Sequence, residues 1–220
     1  LCGGEEKGEW SSGESFVTAC TTISAFPWLE GFENTDANTM PVCWNVIREG
    51  GSYPYVVSGS SYSHEGTKAL TWGTSYAYSE YKSWAVMPEM ENVNTLEMTF
   101  YLKKASSSYV GDSLVVGVMT DPTDTTTFVE VAAFQPSSTS YQQQYVSFES
   151  YVGTGKYIAF VSIPVGQSPS STKYYSPITI DDIKVRPVPT CSDMSGVKIK
   201  NVTNNSAKVI FSNAGVANYQ

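Results

Sequence analysis

The sequence predicts an all-β protein, a jelly-roll β-sandwich in which two sheets pack face to face. Two observations support this prediction. No stretch keeps the i, i+3, i+4, i+7 apolar spacing of an amphipathic helix over three turns. Short alternating or apolar segments recur instead, separated by Gly, Pro and Ser. Many short strands without helices favour a sandwich over an α/β fold, and 220 residues suffice to bury its core.

Each predicted strand follows from its local pattern. Residues 96–103 alternate apolar and polar side chains, which predicts a strand with one face in solvent. Residues 113–120 (SLVVGVMT) are apolar nearly throughout, which predicts a strand buried on both faces. The turn-forming segment 121–124 (DPTD) precedes the next strand. The remaining predicted strands are residues 128–134, 146–151, 157–163 and 178–185.

Two boundaries divide the chain into three predicted segments. Pro187 and Pro189 interrupt the strand pattern, as interdomain linkers often do. Beyond them, two alternating strands flank the turn Asn204-Asn205, and so few strands cannot form an independent core. We therefore expect one complete domain at 23–186. Residues 1–22 are expected to end a preceding β domain, and 187–220 to be a linker and the start of a following one.

Composition disfavours several classes of partner. The chain has 13 Lys and Arg against 21 Asp and Glu, a net charge of −8 that repels phosphate backbones, so no nucleic-acid partner is expected. No basic patch for an anionic membrane and no window of about 18 apolar residues are found, so membrane insertion is not expected. The 13% of aromatic residues suits strands and also suits surfaces that stack on ligands.

The cysteines leave two interpretations open. None of the four lies in a C-x-x-C pair, and with a single His the chain offers too few ligands for a zinc site. Disulfides are possible in an exported protein, with three pairings available, and free buried thiols are equally compatible with the sequence. The four residues are Cys2, Cys20, Cys43 and Cys191.

Several short motifs follow one another in a fixed order. They are residues 26–33 (FPWLEGFE), 41–44 (PVCW), 66–70 (GTKAL), 84–88 (WAVMP), 114–119 (LVVGVM), 151–160 (YVGTGKYIAF) and 180–183 (IDDI). This order resembles the choice-of-anchor J and cleaved-adhesin modules, which are similar to MAM domains and have a jelly-roll fold. The resemblance covers most of 23–186. The flanking segments resemble fibronectin type III repeats, with Phe211 where that family usually has Trp.

The resemblance implies a function. Such modules occur in large exported proteins of anaerobic gram-negative bacteria, including the haemagglutinin–adhesin regions of gingipains. We therefore expect a secreted or cell-surface, non-enzymatic module, monomeric within a longer chain, that binds a host glycan or an extracellular protein. One alternative is a carbohydrate-binding accessory module of a secreted hydrolase or peptidase. Another is a structural spacer between repeats.

An acidic pair, Asp181-Asp182, is the candidate metal site. Neighbours in a strand face opposite sides, so one of the two carboxylates points inward and needs a cation or hydrogen-bond donors. The resemblance implies a structural calcium ion held by a carboxylate of this pair and by Glu33, with backbone carbonyls completing six to eight oxygen ligands. Asp182 is slightly preferred over Asp181, because it shares the face of Ile178 and Ile180. The alternative is an Asp that caps a turn beside an exposed Glu33.

The other titratable candidates favour structural roles. His64 is the only His, and no catalytic motif accompanies it, so it is interpreted as a solvated loop residue of a protein without enzymatic activity. Glu89 and Glu91 lie at a predicted strand end and are interpreted as solvent charges rather than a glycosidase pair. Asp112, Asp121 and Asp124 are interpreted as turn formers rather than as a second calcium site.

An aromatic-rich segment, residues 70–84 (LTWGTSYAYSEYKSW), is the candidate ligand surface. Aromatic rings with a polar edge stack on sugars and anchor protein interfaces. The predicted ligand-binding residues are Trp72, Tyr76, Tyr78 and Tyr81. For Trp72 and Trp84 a position in the core at strand ends is the favoured interpretation. Tyr53, Tyr55 and Tyr62 add to the aromatic surface.

Overall fold

The computed structural model describes residues 20–49, 53–73, 82–107, 112–163, 177–189, 195–200, 202–203, 205–206 and 208–212. The strands are β1 Trp28–Glu30, β2 Asn45–Arg48, β3 Tyr53–Ser58, β4 Lys68–Gly73, β5 Ser83–Val86, β6 Leu96–Lys104, β7 Ser113–Met119, β8 Val129–Phe134, β9 Gln142–Ser147, β10 Tyr157–Ile163, β11 Ile178–Pro187, β12 Ser195–Lys200 and β13 Lys208–Ser212. Two 3-10 helices, Val93–Thr95 and Thr125–Thr127, complete the described elements. None of these helices has the length and apolarity needed to traverse a membrane.

Two antiparallel sheets form the sandwich, which confirms the predicted all-β fold. The six-stranded sheet has the order β3-β4-β11-β6-β9, with β1 paired to β11. The five-stranded sheet has the order β2-β5-β10-β7-β8. A separate two-stranded sheet, β12-β13, contains the two strands predicted after the proline-rich boundary. The assignment of those strands to a fibronectin type III-like domain, and the division at 1–22, 23–186 and 187–220, remain predictions.

The core lies between the two sheets, where alternation places the apolar side chains. In β6 every second residue from Leu96 to Leu102 is buried, as the sequence predicts. The rings of Phe100 and Phe160, one from each sheet, meet edge to face with centroids 5.3 Å apart, and Trp44 stacks on Phe160 at 6.5 Å. In β7 both faces are buried, which confirms the prediction for that apolar segment.

The position of β9 differs from the prediction. A strand over 146–151 is wrong at both ends, because β9 runs from Gln142 to Ser147. Beyond it, the Tyr151 N–H donates to the Phe148 carbonyl in a turn. Backbone pairing with β6 defines the strand. Because such pairing does not require apolar side chains, the strand begins at the polar glutamines.

A β-bulge interrupts β11 at the acidic pair. The register against β6 shifts between Asp181 and Lys184, and Asp182 has a φ of 48°. One extra residue in a strand reverses the alternation beyond it. Ile180 is therefore buried before the bulge and Ile183 after it. The expectation that Asp182 points inward is wrong for this reason, since Asp181 is fully buried while the Asp182 side chain is 27% exposed.

A disulfide joins Cys20 to Cys43, which resolves part of the pairing that the sequence left open. It closes a segment of 23 residues at the start of the sandwich. Loop closure of this length restricts the unfolded chain and stabilises the fold by about 3 kcal/mol. Cys2 and Cys191 lie outside the described residues.

Candidate functional site

A row of four side chains crosses the outer face of the six-stranded sheet. Tyr55 of β3 pairs with Thr71 of β4, Thr71 pairs with Thr179 of β11, and Thr179 pairs with Lys103 of β6. Residues that are directly paired across neighbouring strands point to the same face. Strand pairing thus brings together residues from four separate parts of the sequence, on the side of the sheet that faces away from the core.

Above this row lies a cavity of about 430 Å³, here called the tyrosine cavity. Its floor contains the hydroxyls of Thr71 and Thr179, which lie 3.2 Å apart. Tyr55 forms one wall, and Ser61 and Tyr62 line it from the β3–β4 loop, residues 59–67. Both threonines are buried, and the Thr71 hydroxyl already donates to the Ile178 carbonyl. The cavity therefore offers mainly aromatic surface to a bound molecule, in a volume typical of ligand sites.

The β3–β4 loop is held down on the sheet by its single His. The ring of His64 stacks on Tyr101 with centroids 3.6 Å apart and meets Tyr141 edge-on. Its Nδ1 lies 2.6 Å from Asp182 Oδ2. His64 lies in an exposed loop, as the sequence predicts, but its side chain is only 28% exposed because it packs against Tyr101 and Asp182. The physical reason is that the tip of the loop folds back onto β6 and the bulge of β11.

Two further hydrogen bonds fasten the other side of the loop. The Tyr141 hydroxyl donates to the carbonyl of Tyr62. The Lys103 ammonium donates to the carbonyl of Ser61 at 2.7 Å. Because Ser61 and Tyr62 also line the tyrosine cavity, these bonds help to define its wall.

Asp181 lies beneath the loop with no solvent exposure. Its Oδ2 accepts a hydrogen bond from the His64 N–H at 2.7 Å, and its Oδ1 accepts one from the Asp182 N–H at 2.8 Å. Burial raises the pKa of Asp181 to about 6, although these hydrogen bonds act to lower it. Backbone donors thus satisfy this buried carboxylate without a cation.

Glu33 fixes the start of β4. Its carboxylate accepts hydrogen bonds from the N–H groups of Thr67 at 2.8 Å and Lys68 at 2.7 Å, and from the Thr67 hydroxyl. Burial acts to raise the pKa of Glu33, but these donors outweigh it and lower the pKa overall. Gly66, with φ +62°, makes the approach possible, because a Cβ there would lie 2.5 Å from Glu33 Oε1.

The three predicted calcium ligands do not gather at one point. Among the described residues, the group of His, Cys, Asp and Glu whose ligand atoms lie within 4.8 Å of one another is His64, Glu65 and Asp182. Asp182 is the one predicted ligand in that group, while Glu33 and Asp181 are occupied by backbone donors. A histidine nitrogen beside two carboxylates suits transition metals better than calcium, which prefers oxygen ligands throughout. The residues fit calcium only in part.

A second hollow, of about 300 Å³, lies on the other side of the loop and is here called the acidic hollow. Three carboxylates line it, those of Glu30, Glu65 and Asp182. Burial raises the pKa of Glu30, although a hydrogen bond from the Phe32 N–H acts to lower it. The loop thus separates two hollows of different character on one face of one sheet.

The predicted aromatic ligand residues have different outcomes. Trp72 is fully buried and its indole N–H donates to the Ser83 carbonyl, which confirms the favoured interpretation of a core residue. Trp72 also lines the tyrosine cavity, and its role in ligand binding remains a prediction. Trp84 is 4% exposed, which confirms its interpretation as a buried residue. Tyr76, Tyr78 and Tyr81 lie outside the described residues, and their roles remain predictions.

The exposed aromatics are found elsewhere. Tyr53 and Tyr62, which the sequence placed in the aromatic surface, are 37% and 46% exposed. Sequence reasoning missed Lys103, Thr71 and Thr179. The alternation of β6 places Lys103 on the face away from the core, but its partners follow only from the strand register.

Two of the remaining acidic candidates have the structural role predicted for them, whereas Asp112 is buried at 2% exposure and Glu89 forms an ion pair instead of a free solvent charge. Asp121 accepts hydrogen bonds from Thr123, and Asp124 accepts them from Thr126, which confirms both as turn formers. Glu89 accepts a hydrogen bond from the Lys156 ammonium at 2.8 Å, and this contact lowers the pKa of Glu89.

Comparison with known proteins identifies the fold. No protein-family model and no curated protein matches the sequence. Among solved structures, the chain is similar to the K2 cleaved adhesin domain of Lys-gingipain (Kgp), with a TM-score of 0.59, 15% identity, and coverage of 72% of this chain and 98% of that one. The K1 domain from Porphyromonas gingivalis W83 has a TM-score of 0.56 and 15% identity, with coverage of 75% of this chain and 100% of that one. The K3 domain has a TM-score of 0.53 and 15% identity, with coverage of 72% of this chain and 96% of that one. The sandwich described here has the fold of the gingipain cleaved adhesin domains.

Proposed function

We propose that this chain is a non-catalytic binding module of an exported bacterial protein with several domains, and that its ligand binds in the tyrosine cavity. The observation that carries the proposal is the cross-strand row beneath the cavity, from Tyr55 through Thr71 and Thr179 to Lys103. It offers a ring and an ammonium, with two buried threonines between them, on one sheet. Sites built on strands hold their geometry better than sites on loops.

The lining of the cavity supports binding without catalysis. General acid–base chemistry requires a suitable titratable side chain within hydrogen-bonding reach of the substrate. Among the described residues, no Asp, Glu, His or Cys lines the tyrosine cavity, and its titratable groups are two tyrosine phenols and two lysine ammonium groups. His64 is engaged with Asp182 and Tyr101 on the side of the acidic hollow.

A glycan or an extracellular protein is the proposed ligand, at the cell surface or in the secreted state. Tyr55 and Tyr62 present rings that stack on sugars and anchor protein side chains equally well. The Cys20–Cys43 disulfide supports export, because disulfides persist in oxidising compartments. A carbohydrate-binding accessory module of a secreted hydrolase or peptidase would use the same cavity. A structural spacer would bind nothing there.

Truncation of one cavity tyrosine tests the proposal. The wild-type chain is applied to an array of glycans and to a panel of extracellular host proteins, and affinity for the strongest ligand is measured by calorimetry. Tyr55→Ala should weaken binding about tenfold or more, equivalent to about 1.4 kcal/mol. Tyr145→Ala removes an exposed tyrosine from β9 of the same sheet, outside the cavity, and should leave the affinity unchanged. Equal losses in both variants would contradict the tyrosine cavity as the binding site, and no ligand on either panel would favour a spacer.

The proposal includes a structural calcium ion. It is supported by the family resemblance and by the two carboxylates of Asp182 and Glu65 in one cluster. A cation that binds only the folded state raises the melting temperature by mass action. We expect EDTA to lower the melting temperature, calcium to restore it, and Asp182→Asn to abolish the response. His64→Gln should preserve the calcium response, whereas a response to zinc alone that requires His64, or no response to either ion, would contradict the calcium proposal.

A further inference from the structure

We infer that the tyrosine cavity accepts an anionic saccharide, one that carries a carboxylate or a sulfate group, in preference to a neutral sugar. This inference rests on the proposed function, since it names the ligand class of the same cavity. It follows from the charge of the cavity, the state of one lysine, and the arrangement of the tyrosines.

The charge of the cavity is opposite to that of the chain. The protein carries a net charge of −8, yet the charged residues that line the cavity, among those described, are Lys103 and Lys104. Among the residues that the structure describes, the acidic hollow across the β3–β4 loop is lined by three carboxylates, with one lysine, Lys184, and His64 beside them. A cleft lined by one sign of charge concentrates ligands of the opposite sign. On this face, an anion is therefore drawn to the tyrosine cavity and repelled from its neighbour.

Lys103 is the residue most suited to contact the anion. Its ammonium donates to the Ser61 carbonyl and lies 4.5 Å from the centre of the Tyr141 ring. Within the described residues, no carboxylate forms an ion pair with it. An ammonium has three N–H groups, so donation to Ser61 leaves two for a ligand. The carbonyl also fixes the position of the charge before any ligand arrives.

Partial desolvation makes this charge more effective. Burial lowers the pKa of Lys103, although the charge of Asp181 acts to raise it. The Asp181 carboxylate lies beneath the loop and is occupied by backbone N–H donors, so it does not face the cavity as a free ligand. An anion next to a partly desolvated ammonium interacts more strongly than one next to an ammonium in bulk water.

The walls of the cavity suit the sugar part of the ligand. Burial and the neighbouring phenols of Tyr53 and Tyr62 raise the pKa of Tyr55, as expected where three tyrosines lie together. The rings of Tyr53 and Tyr55 are 5.3 Å apart, and the Arg48 guanidinium lies 4.2 Å above the ring of Tyr53. Sugar rings stack on such surfaces.

The same arrangement indicates a ligand longer than one sugar. The row from Tyr55 to Lys103 crosses three strand-to-strand spacings, which is about 14 Å. Arg48 adds a third cation beyond the Tyr55 end of that row. A short acidic oligosaccharide would therefore contact Lys103 at one end and approach Arg48 at the other.

Calorimetry on the full chain with three probes tests the inference. The probes are trigalacturonic acid for carboxylates, a heparin-derived tetrasaccharide for sulfates, and neutral xylotetraose. We expect one of the charged probes to bind about tenfold or more tightly than the neutral one, and high ionic strength to reduce that difference. The comparison of the two charged probes identifies which anionic group the cavity prefers.

Substitutions assign the effect to the cavity. Lys103→Gln should weaken binding of the charged probe about tenfold, whereas Lys103→Arg should retain most of it. Lys184→Gln removes a lysine of the same sheet that lines the acidic hollow, and should leave binding unchanged. Because Lys103 also fastens the loop, the melting temperature of each variant is measured. Lys104→Gln provides a second test at the cavity if Lys103→Gln does not fold.

Failure of this inference can be distinguished from failure of the proposed function. Equal affinity for neutral and charged probes, or full affinity in both lysine variants, overturns the anionic preference. Weakened binding of the neutral probe to Tyr55→Ala would then still support the cavity as a binding site. If no saccharide binds, the inference is wrong, and the proposed function is decided by whether Tyr55→Ala impairs binding of an extracellular protein.

Discussion

The outer faces of the two sheets differ in a way that separates packing from binding. On the six-stranded sheet, one cross-strand row consists of Tyr55, Thr71, Thr179 and Lys103 and carries an open cavity. On the five-stranded sheet, a comparable row is apolar and its central side chains are buried. That row consists of Ile47, Trp84, Val161, Val115 and Ala133. A strand that is apolar on both faces packs on both faces, whereas a strand with one polar face leaves that face available to a ligand.

The largest expected effect concerns the apolar face. Trp84→Ala should lower the free energy of unfolding by about 3–5 kcal/mol, because it removes a large side chain that is only 4% exposed. Ligand affinity of the folded protein should not change. Urea denaturation and calorimetry measure the two quantities. Tyr55→Ala, the aromatic truncation on the opposite face, should cost about 1–2 kcal/mol and reduce affinity. Similar effects of both variants on stability and on affinity would remove the distinction between the faces.

The second prediction concerns the buried acid beneath the loop. The folded-state pKa of Asp181 is about 6, above the usual value of about 3.9, so the folded protein binds this proton more tightly than the unfolded chain. The resulting stability is present below pH 3.9 or so and is lost as the pH rises towards about 6, a change of about 3 kcal/mol. Asp181→Asn should remove that loss.

The measurement is the difference in the free energy of unfolding between wild type and Asp181→Asn from about pH 4 to pH 7. This difference isolates Asp181 from the other carboxylates. Glu149→Gln serves as the control, because it removes an exposed carboxylate that follows β9 of the same sheet. Parallel curves for wild type and Asp181→Asn would show that the buried carboxylate does not titrate in this range.

A smaller effect is expected at the turn that leads into β4. Gly66→Ala places a Cβ 2.5 Å from Glu33 Oε1 at a positive φ, and should cost about 1–3 kcal/mol in unfolding free energy. Gly31→Ala is the matched control, because its Cβ would lie 3.4 Å from Asp182 Oδ1, an ordinary contact. Chemical denaturation of both variants measures the difference. Equal costs would mean that the contact between Glu33 and the turn does not limit the stability of the loop.

The smallest effect is expected at the loop tip. His64→Gln removes the ring from Tyr101 and the contact with Asp182, and should cost less than about 1 kcal/mol, since both partners are partly exposed. His64→Phe retains a ring for stacking but not the hydrogen bond. Thermal unfolding of the two variants separates these contributions. A loss of several kcal/mol in either variant would show that the polar face depends on the loop as strongly as the apolar face depends on its buried row.

The fold was predictable because its signals are local. Alternation in β6 and the apolar run in β7 each lie within one strand and report burial directly. The bulge at Asp181 and Asp182 was not predictable from alternation, because one inserted residue is visible only in the register against β6. The sequence left two interpretations open for Trp72, because a tryptophan at a strand end suits both a core and a ligand surface. Its burial was seen only in the structure.

Strand periodicity depends on neighbouring residues and net charge on a sum over independent residues, so the amino-acid sequence was enough to predict an acidic β-sandwich. The candidate site was decided by the tertiary structure alone. Tyr55, Thr71, Lys103 and Thr179 become neighbours only through strand order and register, which no single segment encodes. For the same reason, a chain of net charge −8 presents a cavity lined by two lysines. Charge acts on a ligand through local geometry, and only the fold supplies that geometry.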